Sequence, residues 1–213
     1  MSNCEHCTSK TCCKYHGTSS LYQKDGNTPV IALLGQPNSG KSTIFNMITG
    51  SHQHVGNWPG KTVDQKEGEF KWNGQKMILA DLPGSYSLSA GSDEEIITSD
   101  YITSGNADLV LIMADASQLK RSLYMLADFV GTKVPAVLVL NMMDVAKGQG
   151  ITIHTEKLSE KLGIPVVPMS AIRKKDYTLL YETIEISLET KSMIKESSLA
   201  SAKEKMDFID HLL

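Results

Sequence analysis

Residues 35 to 42 read Gly-Gln-Pro-Asn-Ser-Gly-Lys-Ser and follow directly after the apolar run Pro-Val-Ile-Ala-Leu-Leu at 29–34. The pattern predicts a buried strand, a glycine-rich turn and a helix over residues 42–49. Backbone N–H groups in such a turn and the positive end of the helix can hold the phosphates of a nucleotide. A plain glycine turn is the alternative, but it would not require the Lys-Ser pair. The octet therefore predicts a nucleoside triphosphate site.

The chemistry of this loop assigns a role to several side chains. Lys41 is expected to reach the β- and γ-phosphates, and the hydroxyl of Ser42 is expected to ligate Mg²⁺. The nucleotide-binding residues predicted here are Gly35, Gln36, Pro37, Asn38, Ser39, Gly40, Lys41, Ser42 and Thr43.

Composition narrows the class of protein. The net charge of the 213-residue chain is −3, so its overall charge does not favour binding to nucleic acid. We therefore expect no nucleic acid partner. No run of roughly 18 apolar residues occurs, and no secretory signal is visible at the polar N-terminus. All four cysteines lie within the first thirteen residues, which favours a reducing, cytosolic setting.

Apolar runs that alternate with helical patterns predict the fold. The runs 30–34, 77–80, 109–114, 136–140 and 165–169 are typical of buried parallel strands. Residues 64–72 run into Asn73-Gly74, a hairpin signal, and should pair antiparallel with the strand at 77–80. Helices are predicted at 42–49, 93–104, 118–130, 154–162 and 176–189. We therefore expect an α/β P-loop NTPase, a doubly wound and mostly parallel six-stranded sheet with one antiparallel edge strand and helices on both faces.

The same patterns divide the chain into three parts. Residues 1–27 are polar and predict a flexible, cysteine-rich tail. Residues 28–190 carry the predicted nucleotide-binding domain. Residues 191–213 predict the start of a helical extension that this chain does not complete.

Two segments are expected to complete the phosphate site. Asp81-Leu-Pro-Gly84 ends a predicted strand, where the Asp81 carboxylate can hold Mg²⁺ through water and the Gly84 N–H can meet a γ-phosphate. Thr62 lies between the first helix and the hairpin and can offer a hydroxyl to the metal. Lys41, Thr62 and Gly84 are the predicted catalytic residues.

Two later segments predict the base. Asn141-Met142-Met143-Asp144 follows the strand at 136–140, and the Asp144 carboxylate can accept hydrogen bonds from N1–H and N2–H₂ of guanine, which adenine lacks. An unpaired carboxylate there would be costly, which disfavours adenine. Ser170-Ala171 ends the last strand, where the Ala171 N–H can meet guanine O6.

In this order, the motifs resemble those of the TRAFAC-class GTPases. With Val55-Gly-Asn-Trp-Pro-Gly-Lys-Thr62, an unusual loop among GTPases, residues 29–188 resemble the cytosolic G domain of the bacterial ferrous iron transport protein B (FeoB) family. The resemblance implies a following helical domain and a membrane region. We therefore expect a soluble fragment of a transporter at the cytoplasmic face of the bacterial inner membrane, with homo-oligomerisation left open.

The resemblance also implies a cation site and a slow rate. Asn38, with backbone carbonyls from Gly56 to Trp58, would coordinate K⁺ near the phosphates, or Asn38 would simply brace the loop. Ser85 stands where signalling GTPases carry a glutamine, which predicts slow hydrolysis of GTP to GDP. The two switch loops would be Gly56–Lys66 and Leu82–Glu95, with Trp58 partly exposed.

Two departures from the general GTPase pattern bear on the base site. Met142 replaces a common lysine, so its stem can pack on the base but offers no ammonium. After Ser170-Ala171 the chain lacks the glycine often found there, which makes the shape of this loop an open question.

A second chemical signal lies in the N-terminal tail. Cys4, Cys7, Cys12 and Cys13 could ligate Fe²⁺ or Zn²⁺, because thiolates at Cys-x-x-Cys spacing suit these metals. A flexible, redox-sensitive tail is the alternative, since adjacent cysteines rarely both serve one tetrahedral site.

Other functions stay open at this level. A soluble GTPase of ribosome assembly or tRNA modification would share the phosphate loop, but it should carry a basic RNA-binding appendage that this acidic chain lacks. A nucleotide-binding module that hydrolyses nothing is a third alternative.

Overall fold

The computed structural model describes residues 28–88, 91–196, 199 and 201–213. Within these residues seven strands form one sheet in the order β2-β3-β4-β1-β5-β6-β7. The strands are β1 Val30–Gly35, β2 Gln53–Asn57, β3 Asp64–Trp72, β4 Gln75–Asp81, β5 Leu109–Asp115, β6 Ala136–Asn141 and β7 Val166–Pro168. The helices are α1 Lys41–Thr49, α2 Asp93–Thr103, α3 Leu119–Phe129, α4 Met143–Gly148, α5 Thr155–Leu162, α6 Asp176–Thr190 and α7 Ala202–Leu212.

The central strand β1 is buried on both faces, as its unbroken apolar run predicts. Successive side chains of a strand point to opposite faces of the sheet. Ala32 and Leu34 accordingly pack with α2, α3, α5 and α7, whereas Ile31 and Leu33 pack with α1 and α6. The doubly wound, mostly parallel α/β fold is confirmed.

The antiparallel edge differs from the expectation of six strands and one antiparallel edge strand. β3 pairs antiparallel with β4, as the Asn73-Gly74 turn predicts, but β2 adds a second antiparallel strand outside it. The prediction missed β2 because Gln-His-Val-Gly-Asn contains one aliphatic residue and no apolar alternation. Only the three-dimensional structure shows that this segment pairs with β3.

One short helix, α4, lies outside the predicted set, whereas α7 lies within the helical extension predicted at 191–213. α4 has six residues, too few for an apolar period to appear, and it starts after Met142 in the left-handed region at φ 61°. α7 begins at Ala202, directly after the N-cap residue Ser201, whose side chain and that of Glu204 form a capping box. Within the described residues no helix is long and apolar enough to cross a bilayer.

Parallel pairing aligns the carboxyl ends of the central strands. β1, β4, β5 and β6 end at Gly35, Asp81, Asp115 and Asn141. In a doubly wound sheet, ligands bind at this edge, so the predicted phosphate and base motifs share one rim.

Candidate nucleotide-binding site

The phosphate loop is shaped by two glycines that have no room for a side chain. A Cβ on Gly35 would lie 2.7 Å from Cβ of Met113, because β1 and β5 are adjacent there. Gly40 has φ 92°, and a Cβ on it would lie 2.1 Å from Nδ2 of Asn141. Asn38 also adopts a left-handed conformation, at φ 66°. The loop therefore turns tightly into α1, which begins at Lys41.

Asn141 joins the phosphate loop to the predicted base loop. Its Nδ2 donates to the carbonyl of Ser39 at 3.0 Å, and its Oδ1 accepts from the N–H of Ala171 at 2.9 Å. Asn141 is buried, so both hydrogen bonds are sheltered from water. One side chain thus sets the distance between the two halves of the predicted site.

Lys41 and Asp81 are charged groups held in a largely dry environment. Desolvation lowers the pKa of Lys41, although the negative charge of Asp81 partly offsets this and Lys66 adds to it. Desolvation raises the pKa of Asp81, while Lys41 and Lys66 act in the opposite direction. For each group, the opposite charge of its neighbour offsets only part of the cost of burial. Such perturbed pKa values are common at functional sites, and a phosphate or a metal ion could supply the missing charge.

The side chain of Asp81 is suited to binding a cation. Oδ1 of Asp81 is buried and has no hydrogen-bond partner among the described residues. An orphaned carboxylate oxygen beside a phosphate loop suits Mg²⁺, which prefers oxygen ligands and often keeps several waters. The predicted roles of Ser42 and Asp81 toward Mg²⁺ are compatible with this geometry.

The segment after Asp81 lies against the phosphate loop. A Cβ on Gly84 would be 3.3 Å from the backbone nitrogen of Pro37 and 3.4 Å from Nζ of Lys41. Ser85 is buried, and its hydroxyl has no partner within the part of the chain that is described. The structure therefore brings Gly84 to Lys41, as expected for a γ-phosphate contact.

The base loop is held by a hydrogen-bond network around Ser170. Its hydroxyl donates to Oδ1 of Asp144 at 2.6 Å, and its N–H donates to Asp176 at 2.8 Å. The Ser170 hydrogen bond is the main reason that the pKa of Asp144 is lowered. Asp144 is thus held as a carboxylate, the acceptor that guanine would need.

Both backbone groups of Ala171 are hydrogen-bonded within the protein. Its N–H, expected to meet guanine O6, donates to Asn141, and its carbonyl accepts from the hydroxyl of Tyr177 at 2.7 Å. The loop is therefore ordered by protein contacts even without the glycine common in other GTPases. Asp176 and Tyr177 were missed by the sequence reasoning, although an acidic residue at the start of α6 is a recognisable signal.

The first part of the first switch forms the outermost strand of the sheet. Gly56 pairs with Gln65 in the outermost strand, and β2 stands three strand spacings, about 14 Å, from β1. The carbonyl of Trp58 accepts from the N–H of Lys61 at 2.9 Å. Thr62 is exposed in the turn that follows. The K⁺ site of Asn38, Gly56 and Trp58 stays a prediction.

The burial of Trp58 differs from the prediction. Sequence reasoning expected partial exposure, but the side chain is 3 % exposed and packs edge-to-face on Tyr101 at 5.4 Å. The partner lies on α2, more than forty positions along the chain, so burial could not be read from the loop alone.

The N-terminal metal prediction lies outside the described residues, since Cys4, Cys7, Cys12 and Cys13 precede residue 28. Among the residues that are described, no group of three His, Cys, Asp or Glu side chains is arranged to hold a metal ion.

Comparisons with known proteins agree with this geometry. The model of the family described as "Ferrous iron transport protein B" matches residues 29–184. The Fe(2+) transporter FeoB of Escherichia coli K12 is 44% identical over 159 residues, which is 73% of this chain and 21% of that protein. The chain thus spans about a fifth of the length of the curated relatives it matches.

Solved structures of FeoB domains are also similar to this chain. A GDP-bound mutant of the S. thermophilus FeoB G-domain is 43% identical and superimposes with a TM-score of 0.71, covering 76% of this chain and 63% of that one. The cytosolic domain of L. pneumophila FeoB is 38% identical with a TM-score of 0.75, covering 82% and 68%.

Proposed function

Because this chain belongs to the ferrous iron transport protein B family, we propose that it binds guanine nucleotide and hydrolyses GTP slowly, as the regulatory domain of an Fe²⁺ membrane transporter. The G-domain fold and the phosphate loop are those of a GTPase. We propose GTP as the nucleotide, a slow rate of hydrolysis, and regulation of a transporter by the nucleotide state.

The double hydrogen bond of Asn141 is the observation that carries guanine nucleotide binding. It holds Ser39 of the phosphate loop and Ala171 of the base loop in one rigid arrangement. Asp144, kept ionised by Ser170, stands at the far end of this arrangement. Its carboxylate would pair with N1–H and N2–H₂ of guanine, and the S. thermophilus relative was solved with GDP.

The phosphate end supports hydrolysis. The ammonium of Lys41 and the N–H groups of the loop would neutralise the β- and γ-phosphates, and the Gly84 N–H would contact the γ-phosphate. Ser42, Asp81 and Thr62 would hold Mg²⁺, which supplies further positive charge at the phosphates. Thr62 has to move inward from its exposed turn for this role.

A slow rate follows from Ser85. A serine hydroxyl is too short to orient water as a glutamine does, so backbone groups of the second switch would position the attacking water. We propose in addition that K⁺ stimulates hydrolysis through Asn38, after the first switch leaves the sheet edge.

The transporter role rests on the family. A G domain that changes its two switches with nucleotide state could report that state to a membrane region of a longer protein, and residues 191–213 would begin the connection. Family membership favours this role over ribosome assembly or tRNA modification.

Single-turnover hydrolysis tests the enzymatic claim directly. Purified chain with GTP and Mg²⁺ should form GDP slowly, faster in KCl than in NaCl at equal ionic strength, and ATP should be neither bound nor cleaved. Asn38→Ala should abolish the difference between the salts while retaining GDP affinity. Equal rates in the two salts would remove the K⁺ role, and equal binding of ATP would remove the guanine assignment.

A further inference from the structure

The first two residues of helix α6 hold the base loop, which begins with Ser170 and Ala171. Asp176 and Tyr177 open this helix. Oδ2 of Asp176 accepts from the N–H of Ser170 at 2.8 Å, and the hydroxyl of Tyr177 donates to the carbonyl of Ala171 at 2.7 Å. Adjacent residues of α6 therefore hold adjacent residues of the base loop, each by one hydrogen bond.

The contact made by Asp176 leads through one serine to Asp144. Ser170 donates its N–H to Asp176, and its hydroxyl donates to Oδ1 of Asp144 at 2.6 Å. The same hydroxyl accepts from the N–H of Asp144 at 3.3 Å. Because the backbone of Ser170 sets where its hydroxyl lies, Asp176 orients the carboxylate proposed to pair with guanine. We call Asp176, Ser170 and Asp144 the serine relay.

The contact made by Tyr177 leads to the phosphate loop instead. Ala171 accepts from Tyr177 with its carbonyl and donates its N–H to Asn141 at 2.9 Å. Asn141 in turn donates to the carbonyl of Ser39 at 3.0 Å. Tyr177, Ala171 and Asn141 are buried, and a buried carbonyl that loses its donor is costly. We call these four residues the alanine relay.

Aromatic packing makes α6 a firm support for both relays. The ring of Tyr177 lies 6.3 Å from the ring of Tyr181, which stacks on Trp72 at 4.8 Å. Nε1 of Trp72 also donates to Glu185, one turn after Tyr181 on the same helix, at 3.2 Å. The helix is thus fixed to strand β3, so its first two residues have a defined position from which to hold the base loop.

We propose that Asp176 and Tyr177 are positioning residues with separate tasks: Asp176 sets the selectivity for guanine, and Tyr177 sets how long the nucleotide stays bound. The proposal rests on the proposed guanine nucleotide binding and specifies which residues behind the site control it. The serine relay acts on Asp144, which would accept from the exocyclic amine of guanine. The alanine relay acts on Asn141 and the phosphate loop, whose ligands are the same in any purine nucleotide.

Inosine diphosphate (IDP) separates the two tasks, because hypoxanthine differs from guanine only in lacking the exocyclic amine. A change in the serine relay should reduce the preference for GDP over IDP. A change in the alanine relay should shorten the lifetime of both complexes by the same factor and leave the preference unchanged. General loosening of the base loop would produce the second pattern for every variant.

The first experiment compares Tyr177→Phe with Tyr181→Phe in the full chain. Each change removes one hydroxyl from the same aromatic cluster, and within the described residues the hydroxyl of Tyr181 has no hydrogen bond. Stopped-flow dissociation of fluorescent GDP and IDP analogues is measured. We expect Tyr177→Phe to release both about two- to tenfold faster, the range for one lost hydrogen bond, and Tyr181→Phe to match the parent.

The second experiment measures the Kd values of GDP and IDP by calorimetry. Asp176→Ala should reduce the ratio of the two Kd values about two- to tenfold. Asp176→Asn should restore most of it, because an amide oxygen can still accept from the N–H of Ser170. Glu182→Ala removes an exposed acid from the same helix and should keep the parent ratio.

A double-mutant cycle tests whether Asp176 acts through Asp144. In the Asp144→Asn background, Asp176→Ala should no longer change the ratio of the Kd values, whereas Tyr177→Phe should still speed release. Ser170→Ala approaches the serine relay from its middle. It keeps the N–H that Asp176 accepts but removes the hydroxyl, so it should lower the GDP preference as Asp176→Ala does.

Three results would overturn the inference. They are an unchanged release rate in Tyr177→Phe, an unchanged preference for GDP in both Asp176→Ala and Ser170→Ala, or an effect of Asp176→Ala that persists in full in the Asp144→Asn background. Each is measured against a parent chain that binds GDP. Failure of the parent to bind GDP would instead refute the proposed function, so the two failures are distinguishable.

Discussion

Nδ2 of Asn141 lies 3.0 Å from the backbone carbonyl of Ser39, so the first residue of the base motif also braces the phosphate loop. The two residues are 102 positions apart in the chain. The contact leaves no space above Gly40, whose missing side chain lets the amide approach. A change at either end of this contact should therefore disturb phosphate and base binding together.

Gly40→Ala should destabilise the protein and abolish nucleotide binding. The new methyl would meet Asn141 and would adopt a strained φ of 92°. Gly74→Ala is the matched control, since its φ is 82° but no atom lies within 4 Å of its Cβ position. Backbone strain alone costs about 1–2 kcal/mol, and the loss of the Asn141 hydrogen bonds adds about 1–3 kcal/mol. Urea unfolding and GDP titration measure both, and equal losses in the two variants would contradict the Asn141 explanation.

Asp144→Asn should weaken GDP binding selectively. The carboxylate that Ser170 orients is replaced by an amide that offers a donor to the N1–H and N2–H₂ donors of guanine. The loss of hydrogen bonds to a charged group corresponds to about 1.5–3 kcal/mol, or about 10- to 100-fold in Kd. Calorimetry should also show improved binding of xanthosine diphosphate, which has a carbonyl in place of the exocyclic amine. Asp207→Asn, an exposed change on α7, should affect neither nucleotide.

Fluorescence should distinguish the chain's two tryptophans. Trp58 is packed on Tyr101 and lies in the first switch, whereas Trp72 stacks on Tyr181 at 4.8 Å and donates to Glu185 away from the site. A non-hydrolysable GTP analogue should change the emission of the parent and of Trp72→Phe. Trp58→Phe should show no such change. A signal that persists in Trp58→Phe would show that Trp58 is not its source and would contradict the expected movement of Trp58.

Stability of the nucleotide-free protein should depend on Lys41 at alkaline pH. Burial lowers the pKa of Lys41 below its ordinary value of 10.5, so between the lowered pKa and 10.5 the unfolded chain binds more protons than the folded chain. The free energy of unfolding therefore gains a contribution from Lys41 that rises with pH in that window. Urea unfolding from pH 7 to about 9.5, below the ordinary pKa of tyrosine, measures it.

The matched variants are Lys41→Met and Lys71→Met, the latter at an exposed position of β3. The rise should be missing in Lys41→Met and present in Lys71→Met. Parallel pH profiles for the parent and Lys41→Met would show that the folded-state ammonium is not destabilised by burial.

Local patterns were sufficient for much of the fold. The phosphate loop, the hairpin turn at Asn73-Gly74 and four of the central parallel strands depend on residues close in sequence, and the structure has them where they were predicted. The helices α1, α2, α3, α5 and α6 likewise begin and end within one or two residues of the predicted bounds. Strand β2 and helix α4 escaped because neither contains enough apolar residues to show a period.

The sequence by itself determined that this chain is a G domain with a phosphate loop and a guanine motif, because those signals are carried by adjacent residues. Tertiary structure alone decided how the parts act on each other. It buried Trp58 beneath α2 and gave Asn141 two partners in different loops. Such contacts join residues that are tens of positions apart, and burial then sets their strength, so no local pattern could predict them.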